Sequence, residues 1–277
     1  MTSRLKSVLL HLPAHGLAVF ALVVMLAPLA WMVSTSLKPP TEVFSGAFNL
    51  VPAHPTLENY QIALTKVPLL RYLLNSLVMA GAVTAGQLFT GTLAAYAFAR
   101  YRFRGQELLL VLFLATMAIP VQVLMIPNYV LVVDLGWINT FQGLIAPQLV
   151  AFLPVFLLRQ QFRAFPTPLI EAAALDGANS WQTLWKVVIP PSAPALIAVG
   201  VTIFLWSWNS YLWPLLVATD REMRVVQLGV QQFAAQEGGT SWGPLMAAAT
   251  VATIVPLLAF LVMQRRIMES FVHAGVK

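Results

Sequence analysis

The chain has no cysteine, and only 9% of its 277 residues are charged. The absence of cysteine excludes disulfides, thiolate nucleophiles and cysteine–metal sites. A soluble domain carries about 25% charged residues, because its surface must be solvated. This chain has too few charges to cover a water-facing surface, and 59% of its residues are hydrophobic. We therefore expect most of its surface to face lipid.

Charged residues are entirely missing from six long stretches of the sequence. Each is longer than the ~20 residues that a helix needs to cross ~30 Å of hydrocarbon. Backbone polar groups in lipid must bond within their own segment, and the alternation of barrel strands is missing here. The stretches therefore predict an all-α membrane protein with six transmembrane helices in one domain, residues 1–277. They are residues 12–37, 72–99, 108–133, 135–158, 187–219 and 238–264.

The positions of lysine and arginine predict the orientation. With the N-terminus inside, eleven of these residues fall in inner segments: Arg4, Lys6, Arg100, Arg102, Arg104, Arg159, Arg163, Lys186, Arg265, Arg266 and Lys277. Five fall in outer segments: Lys38, Lys66, Arg71, Arg221 and Arg224. The positive-inside rule then places both termini in the cytoplasm. The net charge of +6 indicates anchoring at the inner leaflet, and no basic patch interleaved with aromatics suggests nucleic-acid binding.

Proline marks the interruptions of the predicted spans. Residues 38–70 are polar and proline-rich and are predicted to form an extracytoplasmic loop, and residues 159–193 are predicted to form a cytoplasmic one. Because proline kinks or breaks helices, Pro120 and Pro127 should do so in the third span and Pro147 and Pro154 in the fourth.

Small residues recur at every fourth position of the second span, at Ala82, Gly86, Thr90 and Ala94. This face would let another helix approach closely. The alternative is that the face only reflects a composition rich in alanine and glycine.

The sequence offers little chemistry of its own. No carboxylate lies within the six stretches, which argues against an ion-coupled secondary transporter, although backbone carbonyls can also hold sodium. No G-x-x-x-x-G-K-[ST] phosphate loop is present, and the four histidines show no metal-ligand spacing. These absences predict that the chain is not an enzyme and binds no cofactor or metal itself.

A polar segment between the fourth and fifth spans, "TPLIEAAALDGANSWQTLWKVVIPP", predicts two short helices and a tight turn. Thr167 is placed to cap the first helix, with Pro168 at its first position. Gly177 suits the left-handed residue that ends it. Ser180 is placed to cap the second helix, and the prolines at 190 and 191 should end it. The side-chain-poor surface suits close approach by a partner protein, while an amphipathic hairpin on the inner leaflet is the alternative.

The same segment resembles the EAA loop of ABC importer permeases. That pattern is E-A-A, three residues, G, nine residues and I-x-L-P. Here Glu171-Ala172-Ala173 and Gly177 keep the spacing, and Pro190 ends it, with Val187 for isoleucine and Ile189 for leucine as conservative departures. The stretches "AAYAFARYRFRG", "WNSYLWPLL" and "WGPLMAAA" extend the resemblance over nearly the whole chain, towards the carbohydrate-uptake branch and the glycerol-3-phosphate importers.

The resemblance implies one permease subunit of a bacterial inner-membrane importer that works by alternating access. A second, different permease, two ATPase subunits and an extracytoplasmic solute-binding protein would complete it, and the ATPases would bind ATP and magnesium. The cytoplasmic hairpin would couple to the ATPases. The coupling residues would be Glu171, Ala172, Ala173, Asp176, Gly177 and Pro190.

The substrate contacts are predicted from a polar and aromatic cluster near the outer end of the fifth span. Trp208, Asn209 and Tyr211 suit sugar hydroxyls and ring faces, but they could equally pack against the partner permease or form an interfacial belt. The loop 220–242, including residues 236–239, is a candidate contact for the binding protein. A sugar, glycerol-3-phosphate or a glycerophosphodiester fits the resemblance, and an ion-coupled transporter or a non-transporting scaffold would need other support.

Overall fold

A computed structural model describes residues 2–43, 49–234 and 239–275, with side chains described for 15–43, 49–234 and 239–264. Five of the basic residues that predicted the orientation have side chains outside these ranges: Arg4, Lys6, Arg265, Arg266 and Lys277. Helix accounts for 79% of the structure, and the described residues contain no strand, which confirms the all-α prediction.

The helices are numbered in chain order. They are α1 Thr2–Ser36, α2 Pro40–Val43, α3 Glu58–Lys66, α4 Leu69–Arg100, α5 Gln106–Ala115, α6 Val121–Asp134, α7 Phe141–Ile145, α8 Phe152–Ala164, α9 Thr167–Leu175, α10 Ser180–Gln182, α11 Ile189–Trp208, α12 Leu212–Val217, α13 Val226–Ala234 and α14 Trp242–Gly275.

Four helical segments in the described ranges are long and apolar enough to cross a membrane. They are His15–Ser36, Leu69–Arg100, Ser180–Trp208 and Trp242–Gln264. Two pairs of shorter segments reach that length only together. The pair Gln106–Ala118 and Val121–Asp134 bends by 96°, and the pair Phe141–Gln148 and Phe152–Ala164 bends by 48°. The structure therefore holds four to six candidate spans, and each of the six predicted stretches overlaps one of them.

The two bends lie where prolines predicted interruptions. Pro120 directly precedes α6, and Pro147 lies in a 3₁₀ turn between α7 and α8. Proline lacks an N–H group and its ring collides with the carbonyl four residues earlier, so the helix cannot continue through it unchanged. Pro127 lies inside α6 without breaking it, and Pro154 lies in the first turn of α8, where no N–H group is needed.

The prediction that Pro190 and Pro191 end the second helix of the hairpin is wrong. That helix begins at Ser180 and runs without interruption into α11, up to Trp208. The turn before the prolines, Thr183–Val188, is a π-helix. Its wider hydrogen-bonding pattern shifts the carbonyls that the proline rings would otherwise meet, so the chain passes both prolines as a helix.

The fifth span is shorter than the predicted stretch 187–219. Helix α11 ends at Trp208, and α12 is a separate helix that has Pro214 in its first turn. In a continuous helix the ring of Pro214 would collide with the carbonyl of Ser210, and the break at residues 209–211 avoids this collision.

The described chain forms two compact units, Met1–Leu69 with Gly229–Thr253 and Leu70–Leu228 with Ile254–Lys277. In the first unit, the buried amide of Asn59 on α3 donates hydrogen bonds to the carbonyls of Ser36 (3.0 Å) and Lys38 (2.7 Å). The Lys38 ammonium is buried over the Trp31 ring, 4.6 Å from its centroid. These contacts hold the end of α1 against the following loop, where α2 and α3 are the only helices between α1 and α4 among the described residues.

The core of the second unit brings α4, α8 and α11 together. Its fully buried members include Met79, Val83, Leu158, Phe162, Leu184 and Val188. The small-residue face predicted on α4 is used here: Gly86 faces the Leu149 side chain so closely that a Cβ would require that side chain to move. The Thr90 hydroxyl donates to the Leu149 carbonyl at 2.9 Å. The small residues of α4 therefore allow the irregular segment between α7 and α8 to pack closely against that helix.

Candidate functional site

The first helix of the hairpin, α9, ends in a tight turn closed by backbone hydrogen bonds. It begins at Thr167, one residue before the predicted start, and Pro168 lies in its first turn. Gly177 has a φ of +82°, which confirms the predicted left-handed residue. Its N–H group donates to the Ala174 carbonyl at 3.0 Å, and the Ala178 N–H group donates to the Ala173 carbonyl at 2.9 Å. This pair of bonds is a Schellman motif, in which glycine carries no steric cost.

The second helix of the hairpin begins with a different cap from the one predicted. Asn179, not Ser180, is the N-cap. Its side-chain oxygen accepts from the Gln182 N–H group at 2.9 Å, and the Gln182 side chain accepts from the Asn179 N–H group at 3.0 Å. This reciprocal capping box has the sequence signature N-x-x-Q, so the cap position could be predicted from local sequence.

The hairpin presents one helix to its surroundings and anchors the other. Leu184 and Val188 of the second helix belong to the buried core of the second unit. On α9 and the turn, Leu175 is 89% exposed, and Trp181 after the turn is 56% exposed. Of the predicted coupling residues, only Ala173 is half-buried, and the exposed ones are Glu171, Ala172, Asp176, Gly177 and Pro190. The result is an apolar, side-chain-poor surface flanked by two carboxylates.

Arg100, at the end of α4, fixes the hairpin to the rest of the unit. Its guanidinium donates to the carbonyls of Phe162 (2.6 Å) and Phe165 (2.5 Å) at the end of α8, and it reaches Thr167 Oγ1 at 3.4 Å. The last carbonyls of a helix have no partner within the helix, so a cation there satisfies them. The sequence marked Arg100 only as an inner basic residue, because no local pattern reveals a contact with residues more than sixty positions away.

A second site is a cavity of about 400 Å³ beside the break after α11. Asn209 and Tyr211, two of the residues predicted for a solute path, line it together with Asn128 of α6 and Gln148. No charged residue lies among its described lining residues. Neutral amide and phenol groups beside apolar walls suit a ligand that carries hydroxyl groups.

Trp208 does not belong to this cavity. Its side chain is 1% exposed and stacks on Phe204, with the ring centroids 5.8 Å apart. The structure therefore separates the three predicted path residues: two line the cavity and the third packs inside the unit.

The loop after α12 is held to the start of α4. The Asn75 side chain donates to the carbonyls of Glu222 and Arg224, both at 2.9 Å. The Ser76 hydroxyl accepts from the Val226 N–H group at 2.8 Å, and Arg71 forms an exposed ion pair with Glu222 at 2.9 Å. Within the predicted loop 220–242, helix α13 is formed, and residues 236–238 of the segment 236–239 lie outside the described residues.

These helices and sites define a helical integral membrane protein with an exposed, rigidly capped hairpin. The profile of the family described as "Binding-protein-dependent transport system inner membrane component" matches residues 87–271. The chain belongs to this family, whose members are permease components of binding-protein-dependent importers.

Individual relatives match almost the full chain. The sn-glycerol-3-phosphate transport system permease protein UgpE of Escherichia coli O1:K1 / APEC is 32% identical, over 94% of this chain and 95% of its own. The diacetylchitobiose uptake system permease protein NgcG of Streptomyces coelicolor is 33% identical, over 93% and 86%. A chain from the crystal structure of a bacterial ABC transporter for import of the acidic polysaccharide alginate has the same fold, with a TM-score of 0.80, 23% identity and coverage of 95% and 97%.

Proposed function

We propose that this chain is the membrane subunit of an ATP-driven sugar importer and that its hairpin docks on a separate ATPase. Family membership implies ATPase and binding-protein partners. The observation that carries the proposal is the exposed α9, whose C-terminal turn is closed by the Schellman motif and followed directly by the capping box of the next helix. A second, different permease subunit completes the translocation path in this proposal.

We expect the hairpin to move as a rigid unit when a partner displaces it. The turn residues between α9 and the second helix are held by backbone and capping hydrogen bonds. Arg100 links the start of α9 to the ends of α4 and α8. A movement of a partner that binds Glu171 and Asp176 would therefore move α4 and α8. Helix α4 contacts the cavity lining directly, because the Gln87 side chain donates to the Gln148 carbonyl at 2.6 Å.

The proposed topology has six spans with both termini in the cytoplasm. Each bent helix pair then counts as one span, and the excess of basic residues on one side sets the orientation. Residues 38–70 would face the extracytoplasmic side and residues 159–193 the cytoplasm. This placement puts the hairpin on the side of the membrane where an ATPase subunit could reach it.

The absence of cysteine allows a clean test of this arrangement. Leu175→Cys places a thiol on the hairpin, and Val51→Cys places one in the loop 38–70, where the native side chain is 80% exposed. A membrane-impermeant maleimide added to intact spheroplasts should label Val51→Cys and leave Leu175→Cys unlabelled. After permeabilisation, Leu175→Cys should crosslink to the ATPase subunit when the complex is assembled.

Two outcomes would contradict the proposal. Labelling of Leu175→Cys from outside would reverse the orientation. A Leu175→Cys thiol that is inside but never crosslinks to the ATPase would favour the leaflet-bound hairpin. Val51→Cys serves as the matched control, because both positions are exposed leucine or valine side chains in the same cysteine-free chain.

The cavity favours a neutral sugar as the substrate. Hydroxyl groups pair with neutral amides such as Asn128, Gln148 and Asn209, and Tyr211 offers an aromatic ring, whereas a phosphate favours arginine or lysine partners. Glycerol-3-phosphate is the second candidate, supported by the names of relatives at 32% identity. Stimulation of ATPase activity by the cognate binding protein should be measured across a panel of sugars and glycerol-3-phosphate. Stimulation by glycerol-3-phosphate alone would reject the sugar assignment.

A further inference from the structure

Four arginines line a cavity of about 870 Å³ at the ends of α4 and α8, close to the start of α5. They are Arg100, Arg102, Arg159 and Arg163. The only carboxylate among the described lining residues is Glu107, and it forms no ion pair with the arginines. The cavity therefore concentrates three net positive charges.

Two of the four arginines, Arg102 and Arg163, have all their hydrogen-bond donors available. The other two are already engaged: Arg100 donates to the carbonyls of α8, and Arg159 Nε donates to the Phe98 carbonyl at 3.3 Å. Neither Arg102 nor Arg163 forms a hydrogen bond or an ion pair within the described part of the chain. Like charges held together in a partly enclosed space repel one another, and a bound anion removes that repulsion.

The other wall of the cavity is apolar. Leu108 and Leu110 of α5 line it, together with Phe98 and Phe103, whose rings lie 5.9 Å apart. Gln106 Nε2 donates to the Phe98 carbonyl at 2.9 Å and holds the start of α5 against the end of α4. The cavity is thus amphipathic: it joins guanidinium groups to the first turns of an apolar helix.

We propose that this cavity binds the phosphodiester headgroup of an anionic phospholipid. An arginine fork matches phosphate oxygens, and the leucines of α5 can contact the adjoining acyl chains. The site adjoins the ends of two uncharged stretches, at residues 99 and 108, where a lipid headgroup would lie. The assignment to the inner leaflet rests on the proposed topology, and basic pockets between membrane helices on that side bind such headgroups.

The lipid would act on the hairpin through Arg100. That residue both lines the cavity and holds Thr167 and the end of α8. A headgroup on Arg102 and Arg163 would lower the repulsion that Arg100 experiences and so favour its hydrogen bonds. Anionic lipid would then be part of the hairpin's support.

The test uses the full chain purified in a neutral detergent and incubated with equal amounts of phosphatidylglycerol and phosphatidylcholine. Native mass spectrometry measures the ratio of the two lipids retained. Arg102→Gln and Arg163→Gln should each lower the preference for phosphatidylglycerol about fivefold. Arg104→Gln is the matched control, because it removes the same charge from the same loop but does not line the cavity, and it should leave the preference unchanged.

Several results would overturn the proposal. An unchanged preference for phosphatidylglycerol in Arg102→Gln and Arg163→Gln would show that the cavity is not a lipid site. An equal loss of preference in Arg104→Gln would show that the lipid responds only to the overall surface charge. Displacement of phosphatidylglycerol by inorganic phosphate alone would assign the cavity to a free anion. If both variants keep the lipid preference but release the ATPase from the assembled complex, the cavity is a protein contact. Because the lipid assay contains no ATPase or binding protein, its failure leaves the importer proposal untouched.

Discussion

Replacing Gly177 by valine perturbs the hairpin turn through the backbone alone. The residue has a φ of +82°, and a Cβ added there meets no atom within 4 Å. No side-chain collision therefore obscures the result. The cost arises from the left-handed conformation, which is ~1–2 kcal/mol unfavourable for a residue with a Cβ and highest for a β-branched one.

That cost should lower the population of the closed turn about 5–30-fold relative to open conformations of the same segment. Since α9 is exposed along most of its length, few contacts exist to restore it. We expect the variant to insert normally, while binding-protein-stimulated ATPase activity and solute uptake both fall strongly. The assay compares the two activities in proteoliposomes that contain the complete importer.

Gly136→Val provides a matched control. Gly136 ends α6 in the same motif, with a φ of +67° and free space around a Cβ. Its N–H group donates to the Val133 carbonyl, and the Trp137 N–H group donates to the Val132 carbonyl, both at 2.9 Å. The Gly136→Val variant has the same backbone cost at a turn outside the hairpin, so its ATPase stimulation and solute uptake should remain coupled. Normal stimulation in Gly177→Val, or an equal loss in both variants, would show that coupling does not depend on the left-handed turn of the hairpin.

Three further predictions concern contacts in the second unit. Arg100→Gln should weaken coupling and lower the thermal unfolding temperature, because it removes charged hydrogen bonds worth ~1.5–3 kcal/mol each; an unchanged melting curve with full uptake would contradict the anchoring role. Gly86→Leu should destabilise the protein by ~1–3 kcal/mol, because the new side chain must displace the Leu149 side chain from α4. Gly81→Leu, which meets no atom within 4 Å, should not, and equal loss in denaturant unfolding would reject this packing argument. Asn128→Leu should raise the KM for uptake without changing basal ATPase activity, and an unaltered KM would exclude Asn128 from the solute path.

The helices and the hairpin turn could be predicted because their signals are local. Six uncharged stretches overlap the four long helices and the two bent pairs. Gly177 follows a run of helix formers and has the left-handed conformation that its position requires. The small residues Gly86 and Thr90 do admit close packing, although the sequence did not identify Leu149 as their partner.

The features that the sequence did not predict depend on contacts between distant segments, or on a local change in helix geometry that accommodates a proline. The π-helical turn carries the helix through Pro190, which a rule about isolated prolines does not foresee. Arg100 acquires its role from the end of α8, and Asn128 joins Asn209 only through the folded arrangement. Trp208 looked like a ligand group beside Asn209, but burial against Phe204 separates it from the cavity.

The source of energy for transport distinguishes ATP-driven import from ion-coupled transport most directly. The complete importer should be reconstituted in proteoliposomes and solute uptake measured with ATP alone, with the binding protein alone, with both, and with an imposed proton or sodium gradient. We expect uptake only when ATP and the binding protein are present together, whatever the ion gradient. Uptake driven by the gradient without ATP would contradict ATP-driven import and identify the chain as a secondary transporter.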